Sequence, residues 1–396
     1  MPSDTDPHPS AGALLRDVPA ADLAEHIVAV AQALGGRPSA LYVLDIAGTK
    51  LRRVAGEGGL PHTLAIPQAI GPELPREQAA GLEATLRAFS ADLVLVPLWL
   101  RHRAIAAIVC EGRPTQDLDG LAREAAAAME LVDGYTDIFA IARRAEPVST
   151  AAQLQQDLLP PRISAARGAE LAAAILPAYD VGGDWIDHSA SATGAWLAVG
   201  DALGKGLRAA ALSALAVAAQ RAVRQAGGTL TDSAHAIHEA VLAGGAGEEF
   251  MTILLAEWDA RDRLLSWVNC GHPAPVLLRH GRPVAPLDGF HTLPVGIADM
   301  PPRLELAQVR LRPGDHIVLH TDGVTERRRA DGSPFGSDGL AAALTPRPAS
   351  AVASVAALQD AVLTAGPEAL RDDATIMALR IDDDTRHEPP TPGAEA

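Results

Sequence analysis

The chain has 396 residues, enough for two or three domains with a sizeable core. Its 33 Lys and Arg against 49 Asp and Glu leave a net charge of −16, which excludes a surface built to neutralise a nucleic-acid backbone. Hydrophobic residues make up 48% and aromatic residues 3%, so the chain folds, and does so around Ala, Leu and Val.

The first ten residues, MPSDTDPHPS, put acid and proline where a secretory signal would carry a basic end and an apolar run. The longest weakly polar helix, Leu207 to Ala219, is interrupted by Arg208 and Ser213 and falls short of the roughly 18 apolar residues of a membrane span. A soluble protein with no membrane partner is expected. The only two cysteines, Cys110 and Cys270, each end an apolar strand-like run, which excludes a disulfide framework or a cysteine metal cluster and fits the cytoplasm. Cys110 reads as a core residue rather than a redox sensor.

Helical spacing of Leu23, Ile27, Val28, Val30, Ala31 and Leu34 predicts a helix over Asp22–Leu34, stopped by Gly35-Gly36. Strands follow at Ala40–Asp45, Lys50–Val54, Leu93–Leu98 and Ala104–Cys110, then a long helix from Asp117 to about Arg144. Its Leu121, Ala125, Met129, Leu131, Val132, Tyr135, Ile138 and Phe139 are too apolar for a helix crossing solvent alone, so it packs on its own sheet or on a second subunit. A homodimer through these helices and the linker is the expectation. Glu146, Pro147 and Val148 break the helix, Ser149 or Thr150 caps the next one, Ala151–Leu159, and Pro160-Pro161 ends it. Beyond Arg162 strands run to about Val199, then helices Leu207–Ala226 and Thr231–Ala243, strands Thr252–Trp258, Leu264–Asn269 and Asp315–Thr321, a helix Ala351–Leu363 and a strand Ala374–Ile381. Separate runs of strands and helices indicate an α+β class. The predicted division is a disordered tail 1–16, a domain 17–145, a helical linker 146–161, a domain 162–382 and a disordered tail 383–396.

In the second domain four acidic positions share one pattern: an apolar run delivers an aspartate into a turn or to a strand edge. They are Asp184 after Val181-Gly182-Gly183, Asp201 after Leu197-Ala198-Val199-Gly200, Asp322 in His320-Thr321-Asp322-Gly323, and Asp372 with Asp373 before Ala374-Thr375-Ile376. Carboxylates without cysteine or clustered histidine are hard oxygen ligands that select Mg²⁺ or Mn²⁺. Several converging from distant sequence suit two ions that activate a water for attack on phosphorus. Taken singly, each aspartate also reads as an ordinary turn residue.

Residues 153–381 resemble the SpoIIE-type serine/threonine phosphatases of the metal-dependent phosphatase superfamily. The motifs are Leu154-Gln155-Gln156-Asp157-Leu158-Leu159-Pro160, the Val-Gly-Gly-Asp segment, Gly200-Asp201-Ala202-Leu203-Gly204-Lys205-Gly206, Phe250-Met251-Thr252, Cys270-Gly271-His272-Pro273, Leu311-Arg312-Pro313-Gly314-Asp315, Thr321-Asp322-Gly323-Val324-Thr325-Glu326, Phe335-Gly336 and Asp372-Asp373-Ala374-Thr375. The resemblance implies a four-layer αββα phosphatase sandwich holding two Mn²⁺ or Mg²⁺ ions. Asp201 would bridge both ions, the Ala202 carbonyl would bind one, Asp322 and Asp372 would complete the other, and Asp184 would act directly or through water. It further implies a phosphorylated protein substrate such as an anti-sigma-factor antagonist. Eukaryotic members have a histidine two residues after the bridging aspartate; Leu203 stands there, which leaves leaving-group protonation unassigned. The first domain, with its Val96-Pro97-Leu98 segment, resembles the GAF sensor family, which implies a small-ligand pocket and a regulatory role.

Accessory positions are Asp373, Lys205, Gly206 and His272. Lys205 and Gly206 open the alanine-rich helix, whose amides face a phosphate or whose glycines merely allow a tight turn. His272 either orients a ligand or protonates a leaving group, or holds its Gly-His-Pro turn together. Arg327-Arg328-Arg329 attract a phosphorylated partner or form a solvated turn. Gly200 to Lys205 is no nucleotide loop, since three residues rather than four separate the glycines and Gly206 follows the lysine. His235 and His238 lack a carboxylate partner for a metal. Two rivals stand beside the phosphatase: a catalytically silent scaffold, which would have no need to gather repelling charges, and a two-metal cyclase or nuclease, which would need base-recognition features that are absent.

Overall fold

The computed structural model describes residues 17–35, 37–56, 59–176, 182–245, 249–280, 284–297, 302–370 and 372–383. The tails 1–16 and 384–396, Gly36 of the expected helix stop and Val181 of the Val-Gly-Gly-Asp segment lie outside them. The chain separates into two compact units, with the division between Pro147 and Val148. Among the described residues no helix is long and apolar enough to cross a membrane.

The first unit is one antiparallel sheet with helices on both faces. Its elements are α1 (Leu23–Gly35), β1 (Ser39–Leu44), β2 (Lys50–Ala55), β3 (Thr63–Ala65), β4 (Leu74–Pro75), α2 (Arg76–Phe89), β5 (Leu93–Leu100), β6 (Arg103–Glu111), α3 (Asp119–Asp133) and α4 (Ile138–Ala142). The strand order is β3-β2-β1-β6-β4, with β5 also on β6. β1 is buried throughout because alternate side chains enter two cores: Leu41 and Val43 pack with α1, α3 and α4, while Tyr42 and Leu44 pack with α2.

Two elements depart from expectation. Helix α2 is absent from the sequence reading because Leu82 and Leu86, one turn apart, are its only buried anchors. The single long helix over 117–144 is two helices, because the chain stops at Gly134 and the Thr136 amide and hydroxyl both bond the Val132 carbonyl. The chain then folds back, with the Ile46 amide on the Arg143 carbonyl and an Arg143–Asp133 ion pair. Leu121, Ala125, Met129, Val132 and Phe139 consequently sit in the unit's own core. That removes the burial argument for a dimer through this face; Leu131, Tyr135 and Ile141 are what remains exposed.

The second unit is a four-layer αββα sandwich. It comprises α5 (Thr150–Leu158), β7 (Ile163–Ala166), β8 (Ala169–Leu176), β9 (Asp184–Ala190), β10 (Gly194–Ala202), α6 (Leu207–Gln225), α7 (Leu230–Gly244), β11 (Met251–Asp259), β12 (Leu264–Cys270), β13 (Val276–Leu278), β14 (Ala285–Pro286), β15 (His291–Thr292), β16 (Ala307–Arg310), β17 (His316–His320), α8 (Asp322–Thr325), α9 (Gly336–Ala343), α10 (Ala351–Thr364) and β18 (Ala374–Ile381). One sheet runs β15-β12-β11-β10-β9 with β16 on β12, the other β14-β13-β17-β18-β8-β7. Alternation decides the layers. On β10, Ala195, Leu197 and Val199 enter the core between the sheets, while Trp196, Ala198 and Ala202 pack against α6 and α7. Helix α10 covers the other sheet at β8 and β18.

Caps follow the predicted residue types. The Ser149 hydroxyl accepts the Ala152 amide at the start of α5, and Thr229 with Asp232 forms a capping box on α7. Helix α5 docks on α6 through Ala151, Ala152 and Ala210, and Arg221 of α6 donates to the Leu158 carbonyl that ends it.

Candidate active site

The acidic residues stand where the inter-sheet core runs out. Along β10 the row Ala195, Leu197, Val199 continues to Asp201; along β9, Ile186 is followed two residues upstream by Asp184. On the facing sheet Ile317 and Leu319 lead to Thr321, and Ile381, Leu379 and Met377 lead to Thr375 and Asp373. The same period-two alternation that packs the sandwich therefore aims one set of polar side chains at one end of it. Asp184 and Asp201 are direct cross-strand partners in the β9–β10 register. Gly183 permits this close approach, since a Cβ there would lie 2.1 Å from the Ala202 carbonyl oxygen.

Burial grades the cluster. Asp184 and Asp373 are 3% and 4% exposed, Asp201 is half-buried, and Asp322 and Asp372 form the exposed rim of a cleft of about 490 Å³. The cleft is lined by Asp201, Ala202, Lys205, Thr252, Asp322 and Asp372, among others. Asp184 Oδ2 accepts from Thr321 Oγ1 at 2.7 Å and Thr375 Oγ1 at 2.6 Å, so the two threonines of the opposite sheet fix its rotamer.

Removal from water dominates the electrostatics. Burial first, and then the charges of Asp201 and Asp373, hold the Asp184 carboxyl well above the carboxylate range against the two threonine bonds. Asp201 is pushed up to about 7 by burial and then by Asp322, Asp372 and Asp373, and it shares a hydrogen bond with Asp184. Burial lifts Asp373 to about 6, opposed by the Gly182 amide and Gln155. Burial, Glu326 and Asp372 raise Asp322. Asp187, 1% exposed on the same strand as Asp184, is built differently: Arg221 and Arg224 both lie 2.7 Å from it. Among the described residues Lys205, 3.2 Å from Asp372, is the one Lys or Arg ion-paired to any of the five cluster acids.

The donor set fits a hard divalent cation. It is all oxygen, charged, mutually repelling and nearly without basic partners, so bound cations would relieve the cost of gathering it. Among the described residues no three side chains are already closed round one point as a ligand shell. Asp184, Asp201, Asp322, Asp372 and Asp373 are brought to one end of the sandwich, with the Ala202 backbone beside them.

The accessory positions divide. Lys205 lines the cleft, whereas Gly206 is the N-cap residue of α6, which begins at Leu207. His272 is 3% exposed and does not line the cleft. Its Nδ1 meets Thr252 Oγ1 at 2.9 Å, its amide donates to Asn269 Oδ1 and its carbonyl accepts from Asn269 Nδ2. Burial and then His320 push it down to about 3, so at neutral pH it carries no proton to give as imidazolium. Its reach to the cleft is through Thr252, which pairs with Asp201 across β10 and β11. Arg327 corrects the two readings of the arginine run: 6% exposed, it donates to the carbonyls of Val362, Gly366, Glu368 and Ala369. Arg329 binds Asp338, which leaves Arg328 at the cleft rim. His238 Nδ1 accepts the Gly296 amide.

One neighbour, quoted in the Leu154–Pro160 motif, has a place at the site that the sequence did not assign. Gln155 of α5, 3% exposed, donates through Nε2 to the Asp184 carbonyl at 2.9 Å and to Asp373 Oδ2 at 3.0 Å. The available signal was its polarity on the buried side of an otherwise alanine-faced helix, where Ala151 and Ala152 are its buried companions.

Residues 191–382 match the family described as Stage II sporulation protein E (SpoIIE). That segment is a SpoIIE-type domain. It contains Asp201, Asp322 and Asp372 and begins after Asp184 and α5. Among solved structures, the SiaA-PP2C domain of Pseudomonas aeruginosa superposes with a TM-score of 0.50 at 24% identity, covering 59% of this chain and 94% of that one. The fold of the SpoIIE unit is accordingly that of the PP2C phosphatases. The RsbU and RsbW domains of Rv1364c from Mycobacterium tuberculosis match at 24% identity and a TM-score of 0.47, covering 55% of this chain and 61% of that one. The PP2C phosphatase domain and regulatory-domain fragment of Bacillus subtilis SpoIIE match at 13% identity and a TM-score of 0.47, covering 78% and 77%.

Proposed function

We propose that the SpoIIE unit is a metal-dependent phosphatase acting on phosphoserine or phosphothreonine in a partner protein. The observation that carries it is the gathering of five carboxylates from four chain segments at one cleft, three of them raised in pKa and substantially buried, with no Lys or Arg ion-paired to those three among the described residues. Such a cluster is costly unless cations complete it. Two Mg²⁺ or Mn²⁺ ions, when bound, would supply charge that activates a water and stabilises phosphoryl oxygens.

In this reading Asp184 and Asp201 hold the buried side of the centre, the Ala202 carbonyl adds a neutral donor, and Asp322 and Asp372 close the solvent side. Thr321 and Thr375 keep Asp184 in its rotamer, and Gln155 keeps Asp373 ionised and oriented, as hydrogen-bonded supporting residues do around metal ligands. Lys205 and Arg328 put positive charge at the mouth through which a phosphate dianion enters. Because α5 carries Gln155 and starts three residues after Pro147, it is the element through which a GAF-like first unit would regulate the site. The first partner to test is a phosphorylated anti-sigma-factor antagonist.

The deciding experiment is phosphate release from a panel of Ser and Thr phosphopeptides by the full chain with Mn²⁺, with and without chelator. Release that the chelator abolishes supports the reading. Mn²⁺ binding without release from any phosphopeptide favours the silent scaffold, and release only from nucleotides or DNA favours the cyclase or nuclease.

A further inference from the structure

We propose that Lys205 is a resident counter-ion that competes with a metal ion for Asp372 and, once displaced, binds an oxygen of the substrate phosphate. The inference rests on the phosphatase reading above and assigns to one side chain both a brake on metal loading and a role in substrate capture.

Three observations carry it. Lys205 Nζ lies 3.2 Å from Asp372 Oδ1, so the amine occupies the position next to this carboxylate that a cation would take. The two side chains are 51% and 58% exposed, and an ion pair so open to water contributes little, so a dication held by several carboxylates displaces it. The lysine also stands between two glycines, on the exposed turn that precedes α6. Gly204 and Gly206 on either side have φ of +93° and +77°, and a Cβ built on either meets nothing within 4 Å. Positive φ at both neighbours is accessible to glycine without strain, and Lys205 is itself exposed at the cleft, outside the buried core.

The other cations of the cleft explain why the displaced amine matters. Arg327 is committed to four backbone carbonyls, and Arg328 donates to the Gly332 carbonyl from the exposed rim. Lys205 is the cleft cation on a long flexible stem, and its ammonium presents three donors to a phosphate oxygen without requiring a fixed plane. Its ties to the acids and to an incoming dianion are alternatives, so metal loading and substrate affinity respond to its removal with opposite signs.

The test uses the full chain and two readouts. Mn²⁺ affinity is measured without substrate by electron paramagnetic resonance of the free ion, and KM, kcat and inhibition by inorganic phosphate are measured at saturating Mn²⁺. Lys205→Gln is expected to bind Mn²⁺ more tightly, by up to about fivefold as the loss of an exposed pair allows. The same variant should raise KM and the inhibition constant for phosphate about tenfold, with kcat less affected. Lys205→Arg should keep both properties near wild type. Mn²⁺ affinity unchanged or weakened in Lys205→Gln overturns the competition, and an unchanged KM and phosphate inhibition overturns the capture role. A wild-type chain that binds no Mn²⁺ and releases no phosphate refutes the phosphatase reading itself, an outcome separate from an active wild type with a silent Lys205→Gln.

Discussion

Replacing Gln155 by alanine tests whether α5 is part of the metal site. The amide makes two bonds from one nitrogen, to the Asp184 carbonyl and to Asp373 Oδ2, and a hydrogen bond to a charged group contributes about 1.5–3 kcal/mol. Without it Asp373 loses one of the three interactions that oppose its rise to about 6, the others being the Gly182 amide and the charge of Lys205, and its carboxylate loses a side-chain anchor. Supporting residues of this kind change metal affinity by about 10–100-fold, and that is the expected increase in the Mn²⁺ concentration for half-maximal turnover. Stability should fall less, because Gln155 Oε1 is buried without a partner and the substitution removes that unsatisfied acceptor as well. The assay is Mn²⁺ dependence of phosphopeptide hydrolysis beside urea unfolding of the metal-free chain. Gln153→Ala, half-buried on α5 and bonded to Asp157 rather than to a cluster acid, serves as control and should shift the Mn²⁺ requirement by no more than about twofold and stability by about 0.5 kcal/mol. A folded Gln155→Ala protein whose Mn²⁺ requirement stays within about twofold of wild type refutes the reasoning.

Asp201→Asn and Asp322→Ala should abolish phosphate release with an unchanged circular dichroism spectrum, and Asp201→Asn should raise the Tm of the metal-free protein while losing the Tm increase on adding Mn²⁺; full activity of both at saturating Mn²⁺ would sink the site assignment. Arg327→Met, which strips four carbonyls of their donor, should cost at least about 3 kcal/mol in urea unfolding, and a loss below about 1 kcal/mol would show that water replaces the arginine. His316, hydrogen-bonded to Ser354 and pushed down to about 4 chiefly by burial, stays neutral in the fold over a range where the unfolded chain takes up a proton. The unfolded state therefore binds more protons between about pH 6.5 and 4, so stability falls as pH drops through that window, by at most about 3 kcal/mol from this group. Urea unfolding at pH 7 and pH 5 should show a shallower pH dependence for His316→Gln than for wild type, and equal slopes would contradict the assignment.

Long amphipathic elements were legible: α1, α5, α6, α7, α10 and the strands β1, β6, β11, β12, β17 and β18 fall within a residue or two of their predicted spans. Their signals are local, being periodicity, a capping Ser or Thr, or a terminating Pro. The elements missed had no such signal. Helix α2 buries two leucines, α9 buries Gly339 and Leu340, and β13 to β16 are two to four residues long and exist because neighbouring strands complete their pairing. The 117–144 stretch was misread because apolar residues on both sides of Gly134 continue one pattern, while the break depends on Thr136 turning its hydroxyl back to Val132.

The acids were legible and their supports were not, for a physical reason. An aspartate after a strand and before glycine announces itself in one segment, whereas a threonine or glutamine acquires a role only from what lies across the fold. Thr321 and Thr375 each continue a period-two row of core residues, so parity alone placed them at the same end as Asp184 and Asp201, provided the two sheets were known to face each other. Gln155 needed more, since its partner Asp373 is 218 residues away, just before β18. The consequence is that the costly part of the site, three carboxylates taken from water, is written locally in the chain. The part that makes the cost tolerable before any cation binds is written in tertiary contacts: two hydroxyls on Asp184 and one amide on Asp373. Those three contacts, with the open Lys205–Asp372 pair at the rim, rather than the acids themselves, are where this chain can adjust how readily the centre loads.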